Sequence, residues 1–165
     1  MAEERARQNE RAVDWIVHRS PKGGFESHYR WMSRSLNVAA KSAYPDEPAM
    51  PRPFEVDLVS VPSGKTYWPR HSHSVQWEYY IVLSGTGWML QADGVDPLPM
   101  EAGDHLMQPA GWIHTVKNDG DQDLTFYVIA NNPLDEVLFY PDSNKWAAAD
   151  REFRIVEVDY WDGEE

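Results

Sequence analysis

The sequence contains no cysteine, and this absence removes two common ways of building a small domain or a site. Without cysteine the chain can form neither disulfide bonds nor thiolate metal ligands. Any bound transition metal must therefore be held by histidine nitrogens or by carboxylate and amide oxygens. The chain has six histidines, so these few residues are the main candidates for metal chemistry.

The sequence also lacks a long apolar run and a cluster of basic residues. No stretch reaches the roughly 20 apolar residues that a membrane-spanning helix needs, and the N-terminal segment lacks the apolar core of a signal peptide. We therefore expect a cytoplasmic protein without a membrane partner. The formal net charge of −12 repels phosphate backbones, so we expect no nucleic-acid partner either.

What the chain does contain is enough apolar mass for one folded domain. Its 165 residues are 42% hydrophobic and 13% aromatic, which is too apolar for a disordered chain. Residues 2–16 carry good helix formers and predict a short N-terminal helix. Residues 20–53 turn to Gly, Ser and Pro and predict an extended arm, because their prolines forbid a long helix. We therefore divide off residues 1–53 as helix and arm.

Short β-rich runs begin at Phe54 and alternate with turn signals. Turns are indicated at Pro62–Gly64, Asp93–Gly94, Ala102–Gly103 and Pro109–Gly111. Seven or more short strands without intervening helices indicate an all-β sandwich or barrel. The runs are FEVDLVSV, VQWEYYIVL, GWMLQA, DHLMQ, IHTVKN, LTFYVIA and FRIVEV.

Three of the six histidines and one glutamate fall within two segments of this β region. His71 and His73 point to the same face if the segment is a strand, because successive side chains alternate. Glu78 lies an odd number of residues further on, so a turn or bulge near Ser74 must bring it back to that face. His114 follows the turn at Pro109–Gly111. Three imidazoles and one carboxylate suit Fe, Mn, Ni, Co, Cu or Zn.

These two segments resemble the two motifs of the cupin superfamily. The first carries Gly64, His71, His73, Glu78 and Gly85, with one extra residue before His71. The second matches at every specified position, which are Gly103, Pro109, Gly111, His114 and Asn118. The resemblance is greatest to small single-domain bacterial cupins.

The resemblance implies a fold, a ligand set and a division of the chain. The fold would be a double-stranded β-helix, a jelly-roll-like barrel, over residues 54–132. One divalent metal would lie inside it on His71, His73, Glu78 and His114. Residues 133–165 lie outside the resemblance, and we expect them to form a C-terminal extension that packs on the barrel.

Strand alternation adds two candidates to the pocket around the metal. If Glu78 faces the metal, Gln76 and Tyr80 share its side of the strand. We therefore predict Glu78, Tyr80 and Gln76 as catalytic residues, with Glu78 mainly a ligand that could also act as a base. His105 could face either the barrel or the solvent, and Arg70 is expected at the rim.

Two classes of function follow from the resemblance. In the first, the protein is a metal-dependent oxidoreductase of the dioxygenase type that acts on an enol, phenol or keto acid. In the second, it only binds or senses a small metabolite; a metal-dependent isomerase is a further alternative. The expected partners are a small-molecule substrate or ligand and a second copy of the chain, since cupin barrels often dimerise through sheet edges.

Overall fold

The computed structural model describes residues 7–36, 53–148 and 151–154. Within these residues the chain forms short strands joined by turns, two three-residue 3-10 helices and a helical stretch at residues 32–36. The strands are β1 (Ile16–Arg19), β2 (Glu26–Trp31), β3 (Phe54–Val61), β4 (Ser72–His73), β5 (Glu78–Ser84), β6 (Thr86–Leu90), β7 (Leu98–Glu101), β8 (His105–Gln108), β9 (Thr115–Lys117), β10 (Leu124–Asn131), β11 (Val137–Tyr140), β12 (Lys145–Ala148) and β13 (Arg151–Phe153).

The strands form three antiparallel sheets. The largest has the order β1-β2-β3-β10-β5-β8, the second β13-β12-β11-β4 and the third β7-β6-β9. A two-way bridge between His71 and His114 continues the pairing beyond the named strands. Met89, Met100 and Val116 of the third sheet join the large sheet in a single buried core. The predicted all-β barrel is confirmed.

Strand β10 shows why these sequences form strands and which side they bury. In LTFYVIAN the residues Leu124, Phe126, Val128 and Ala130 are buried, and the residues between them are half-buried. This alternation is what an aromatic and β-branched strand with one inward face produces. β10 pairs with β3 on one side and β5 on the other, so its register fixes the inner face of the large sheet.

The inner face of this sheet consists of cross-strand rows whose polarity changes along the barrel. We call Val59, Phe126 and Val82 the apolar row, because Phe126 lies opposite both valines. Four residues further along β10, Ala130 lies opposite Glu55 and Glu78, and Glu78 lies opposite Gln108. We call this second set the polar row. Between the two rows lie Asp57, Val128, Tyr80 and Leu106.

A sharp turn at Gly85 carries the chain from the large sheet to the third sheet. Gly85 has a φ of +81°, which favours glycine. A Cβ atom at this position would lie 2.5 Å from the carbonyl oxygen of Asp123. The glycine therefore permits both the left-handed backbone and the close approach of the strand opposite.

The N-terminal region differs in part from its sequence prediction. Of the helix predicted over residues 2–16, the first five residues lie outside the described ranges. In the rest, Glu10–Ala12 form a 3-10 helix and Ile16 already begins β1. The predicted arm contributes β2 and a helical stretch at residues 32–36. β-Strand pairing prevails here because β2 can continue the hydrogen-bond ladder along β3.

No helix in the described part of the chain is long and apolar enough to cross a membrane. The division of the chain at residues 53 and 132 stays a prediction. So does the packing of the C-terminal extension, most of whose last strand, FRIVEV, lies outside the described residues.

Candidate metal centre

His71 and His114 are brought together by a backbone bridge. The amide of His71 donates to the carbonyl of His114 at 3.0 Å, and the amide of His114 donates to the carbonyl of His71 at 2.8 Å. Because directly opposite residues share a face of the ladder, both imidazoles point into the barrel. Their ring centroids lie 4.7 Å apart.

His73 and Glu78 reach the same face through the turn that joins β4 to β5. His73 ends β4 and Glu78 begins β5, and the four residues between them belong to neither strand. This interruption supplies the change of phase that strand alternation required. His73 is 7% exposed and Glu78 is 9% exposed, so both side chains are buried at the point where the strands meet.

Glu136, which lies between β10 and β11, holds this turn together. Its carboxylate accepts hydrogen bonds from the amides of Ser74, Val75 and Gln76, at 3.0, 3.2 and 2.8 Å. The same carboxylate lies 3.1 Å from Nδ1 of His73. One side chain therefore fixes both the turn and the orientation of a candidate ligand.

The four candidate ligand atoms lie close together. One nitrogen or oxygen from each of His71, His73, Glu78 and His114 falls within 4.8 Å of all the others. Nε2 of His71 lies 3.2 Å from Nε2 of His73, and Nε2 of His114 lies 2.7 Å from Oε2 of Glu78. The four side chains that the sequence predicted to share a site do converge, and all four are buried.

The hydrogen bonds of the ring nitrogens that point away from the centre determine which nitrogens are protonated. Nδ1 of His71 lies 2.8 Å from the carbonyl of Pro69, and Nδ1 of His114 lies 3.0 Å from the carbonyl of Trp112. A carbonyl only accepts, so each Nδ1 must be the protonated donor. In a neutral ring Nε2 then carries the lone pair. Such a centre is a set of electron-pair donors, which a shared cation stabilises, so the residues fit a transition metal.

Burial and charge at the centre favour the ligating forms of two of these side chains. Burial is the main reason that the pKa of His71 is lowered to about 3. The neighbouring His114 also lowers this pKa, and its effect is larger than the opposite effect of Glu78. Burial acts to raise the pKa of Glu78, but the hydrogen bond that Nε2 of His114 donates when no metal is bound, together with the histidine charges, holds it at about 2. A bound metal would take the place of that proton. His71 is therefore a neutral imidazole and Glu78 a carboxylate at neutral pH, as metal binding requires.

The other two predicted pocket residues have different surroundings. Tyr80 is fully buried and its hydroxyl donates to Oε2 of Glu78 at 2.8 Å. Burial, and then the charge of Glu78, raise the pKa of Tyr80 well above its ordinary value. Gln76 lies in the turn before β5, so strand alternation does not govern it. Its Nε2 donates to the carbonyl of Asn131 at 2.7 Å. The catalytic roles of Gln76, Tyr80 and Glu78 stay predictions.

Sequence reasoning missed Glu136. The residue lies in the segment after the predicted barrel, and it is 63 positions away from His73. An acidic residue before the run VLFY carries no local signal of this role. The pairing of β11 with β4 brings it to the turn, and this pairing is a long-range contact that no short motif encodes.

Comparison with known proteins identifies a family domain in this chain. Residues 57–130 match the family model described as Cupin domain. Over 101 residues the chain is 31% identical to auxin-binding protein 1 of Arabidopsis thaliana, a match that covers 57% of this chain and 49% of that protein. The chain thus spans about half the length of this curated relative.

Two solved structures have the same architecture. One is a sugar phosphate isomerase of the cupin superfamily from Silicibacter pomeroyi, with a TM-score of 0.70 and 22% identity over 90% of this chain and 92% of that one. The other is the polyketide cyclase RemF from Streptomyces resistomycificus, with a TM-score of 0.58 and 22% identity over 76% and 78% of the two chains. At these identities the likeness establishes the fold, the double-stranded β-helix.

Proposed function

We propose that this chain, whose residues 57–130 form a cupin domain, is an enzyme that depends on one divalent transition metal and acts on a small organic molecule. The observation that carries the proposal is the buried convergence of His71, His73, Glu78 and His114. A first-row metal bound there would supply Lewis acidity and the capacity to activate dioxygen. Four protein donors are fewer than the six that such metals commonly accept, which leaves room for exogenous ligands.

The preferred substrates are enols, phenols and keto acids, and the preferred reaction is dioxygenation. The protein's own part is to bind the substrate, to exclude bulk water and to hold Glu78 as a carboxylate. Tyr80 supports that role because its hydroxyl donates to Glu78, and a hydrogen bond of this kind stabilises the ionised form.

Charge on the inner face argues against phosphorylated substrates. In the described residues, the inner face of the large sheet presents Glu55, Asp57 and Glu78 and neither Lys nor Arg, and Glu55 is already paired with Arg34 at 3.1 Å. A phosphate dianion needs several convergent cations. Arg70 is engaged by Asp93 and Asp142, and Lys65 donates to the carbonyl of Gly23. These contacts disfavour a phosphosugar isomerase relative to an enzyme for neutral or singly charged oxygen ligands.

A second candidate function is binding without turnover. The match to auxin-binding protein 1 favours it, because the name of that relative describes a binding protein. In this case the same centre would hold a small organic ligand and no reaction would follow.

We also propose that the chain forms a homodimer. Light scattering of the intact chain and of a form without residues 1–50 tests this proposal, and monomers in both measurements would contradict it.

The experiment begins with protein reconstituted with Fe(II) in the absence of oxygen. We expect about one metal per chain by elemental analysis, and a spin-3/2 resonance after addition of nitric oxide. Catechol should alter this resonance by binding at the same centre. Iron-loaded protein that gives no nitrosyl signal would contradict the dioxygenase proposal. Oxygen uptake with a panel of enols and phenols then separates catalysis from binding, with His114→Ala as the metal-free control.

A further inference from the structure

Gln108 lies beside the candidate metal centre, on the inner face of the large sheet. It is the last residue of β8 and lies directly opposite Glu78 of β5. Residues directly opposite in an antiparallel ladder share a face, with Cβ atoms about 5 Å apart. Two positions earlier, Leu106 lies opposite Tyr80 and packs on the core. Gln108 therefore points into the barrel next to the carboxylate of Glu78.

The amide of Gln108 is buried without a partner in the described part of the chain. The residue is 2% exposed, and neither its Nε2 nor its Oε1 makes a hydrogen bond there. Burial of an amide in this state costs free energy that an apolar side chain of the same size would not. The sequence nevertheless places glutamine here, at the one inner position opposite a candidate metal ligand on that side of β5.

Another buried amide in the same barrel shows the contrast. Asn118 is fully buried, and its Nδ2 donates to the carbonyls of Val61 and Gln122 at 2.7 and 2.8 Å. Its Oδ1 accepts from the amide of Gly120 at 2.9 Å. Asn118 is therefore saturated by the protein and serves the fold. Gln108 has the same functional group and comparable burial, but its donors and its acceptor have no hydrogen-bond partner in the described residues.

We infer that Gln108 recognises the small molecule that binds at the metal centre, and that this molecule carries two neighbouring oxygens, one protonated and one not, as in a catechol or an enediol. The inference rests on the proposed function. A carboxamide offers both N–H donors and a carbonyl acceptor, so it can donate to the deprotonated oxygen and accept from the hydroxyl.

The surroundings of Gln108 support a ligand of low charge. The hydroxyl of Tyr80 is committed to Glu78, so it does not compete for the ligand. The described inner face of the large sheet lacks Lys and Arg, so it offers a dianion no cation of its own. A neutral or singly charged pair of oxygens can instead be bound by the neutral amide without a charge penalty. Gln108 thereby selects for hydrogen-bonding pattern and not for charge.

The test uses the Zn(II)-loaded protein and 4-nitrocatechol, whose visible absorption changes when it binds a metal. We expect Gln108→Met to keep one Zn(II) per chain and to weaken 4-nitrocatechol binding about tenfold, because the hydrogen bonds of the amide are lost. Gln108→Glu has the same shape without the N–H donors and should weaken binding at least as much. Met107→Ala, an exposed change on the opposite face of the same strand, should leave the dissociation constant unchanged.

A second measurement does not depend on the ligand. In the metal-free protein, Gln108→Met should raise the thermal unfolding midpoint, because an unpaired buried amide is replaced by an apolar side chain. Asn118→Leu should lower it, because a saturated amide is lost. If Gln108→Met lowered the midpoint as Asn118→Leu does, the amide would already have a partner within the protein, and the inference would be overturned.

The binding results separate this inference from the proposed function. Unchanged 4-nitrocatechol affinity in both Gln108 variants, with normal binding by the wild type, would overturn the role of Gln108 and leave the proposed function intact. A wild type that binds no 4-nitrocatechol in either its Zn(II)-loaded or its Fe(II)-loaded form would overturn both. Weaker binding in both variants, together with a raised midpoint in Gln108→Met, supports the inference.

Discussion

The apolar row and the polar row lie on the same strands of the same sheet, yet they do different work. Val59, Phe126 and Val82 are at most 2% exposed and belong to the hydrophobic core. Four residues further along β10, about 13 Å away, Ala130 lies between two glutamates. Strand alternation made both rows face inward. The chemistry of each row then decided whether the inside serves as a core or as a site.

This difference teaches where stability and function are separable in the barrel. The apolar row gains free energy by removing carbon from water, and its contribution depends on volume and packing. The polar row buries groups that are costly to bury, and only mutual hydrogen bonds or a bound cation can offset that cost. Changes in the apolar row should therefore affect folding first, and changes at the polar row should affect metal or ligand binding first.

The largest expected effect is on metal binding and comes from His114→Ala. Removing one of four donors, and the one that contacts Glu78 most closely, should lower metal content from about one per chain to near zero. The circular dichroism spectrum should stay that of a β-barrel, because the apolar row is intact. His105→Ala, an exposed histidine on the outer face, is the matched control and should keep the metal. Metal content equal to wild type in His114→Ala would contradict the assignment.

The next largest effect is on folding and comes from Phe126→Ala. The ring is fully buried and contacts Tyr67 and Tyr80, with centroids 5.5 Å away in each case. Its loss should reduce the free energy of unfolding by about 3–5 kcal/mol. Phe54→Ala removes an exposed ring from the neighbouring strand and should cost less than about 1 kcal/mol. Urea titration of both variants checks this, and equal costs would contradict the role of the apolar row in folding.

The sequence predicted the parts of this molecule that depend on short-range pattern. Alternation in runs such as LTFYVIAN predicted the strands, because one buried face imposes a period of two. The odd spacing from His73 to Glu78 predicted an interruption, and the structure has one there. The two motifs predicted which four side chains converge, since each motif places its ligands within a few residues of a turn.

The sequence could not predict what depends on pairing between distant segments. Glu136 acts on His73 through the pairing of β11 with β4, and Gln108 faces Glu78 through the register of β8 against β5. Alternation suggested Gln76 for the pocket; the interruption that admits Glu78 takes Gln76 out of the strand, so its place in the pocket stays a prediction that alternation no longer supports. A local pattern determines which face of the sheet a residue occupies. Which residue lies opposite it on the next strand depends on the register of the two strands.

A smaller effect concerns the pH dependence of the metal-free protein. Folding holds the pKa of His71 at about 3, against an ordinary value of about 6.5. Between these values the unfolded chain binds a proton at His71 that the folded chain does not, so stability falls as the pH falls. We expect a loss of about 2 kcal/mol from this residue between pH 7 and pH 5.

Urea unfolding in the presence of a chelator at pH 7, 6 and 5 measures this loss. His71→Gln cannot take up that proton, so its stability should depend less on pH over the same range. Phe126→Ala should lower stability equally at all three pH values, since the apolar row does not titrate. A pH dependence of His71→Gln as steep as that of the wild type would assign the linkage to another group.

The smallest effect we predict comes from Glu136→Gln, a change at the residue that contacts His73 from outside the polar row. The carboxylate binds Nδ1 of His73 and the amides of the turn that delivers Glu78. Glutamine keeps one acceptor oxygen but loses the negative charge and the second acceptor. Groups that orient metal-binding histidines change affinity by about 10- to 100-fold when they are lost. Because glutamine preserves part of the contact, we expect the low end, about a tenfold weaker Zn(II) affinity.

Asp135→Asn provides the control, because it removes the same charge from the exposed neighbouring residue. If Glu136 acted only through long-range charge, both variants would weaken Zn(II) binding alike in a competition titration with a chelator. If it acted only by holding the fold, Glu136→Gln would lower the unfolding midpoint of the metal-free protein and leave affinity per folded molecule unchanged. A tenfold loss of affinity in Glu136→Gln alone, with a nearly unchanged midpoint, would mean that its carboxylate orients His73. The functional region would then extend beyond the two motifs to Glu136, which lies just before β11 and outside the matched residues 57–130.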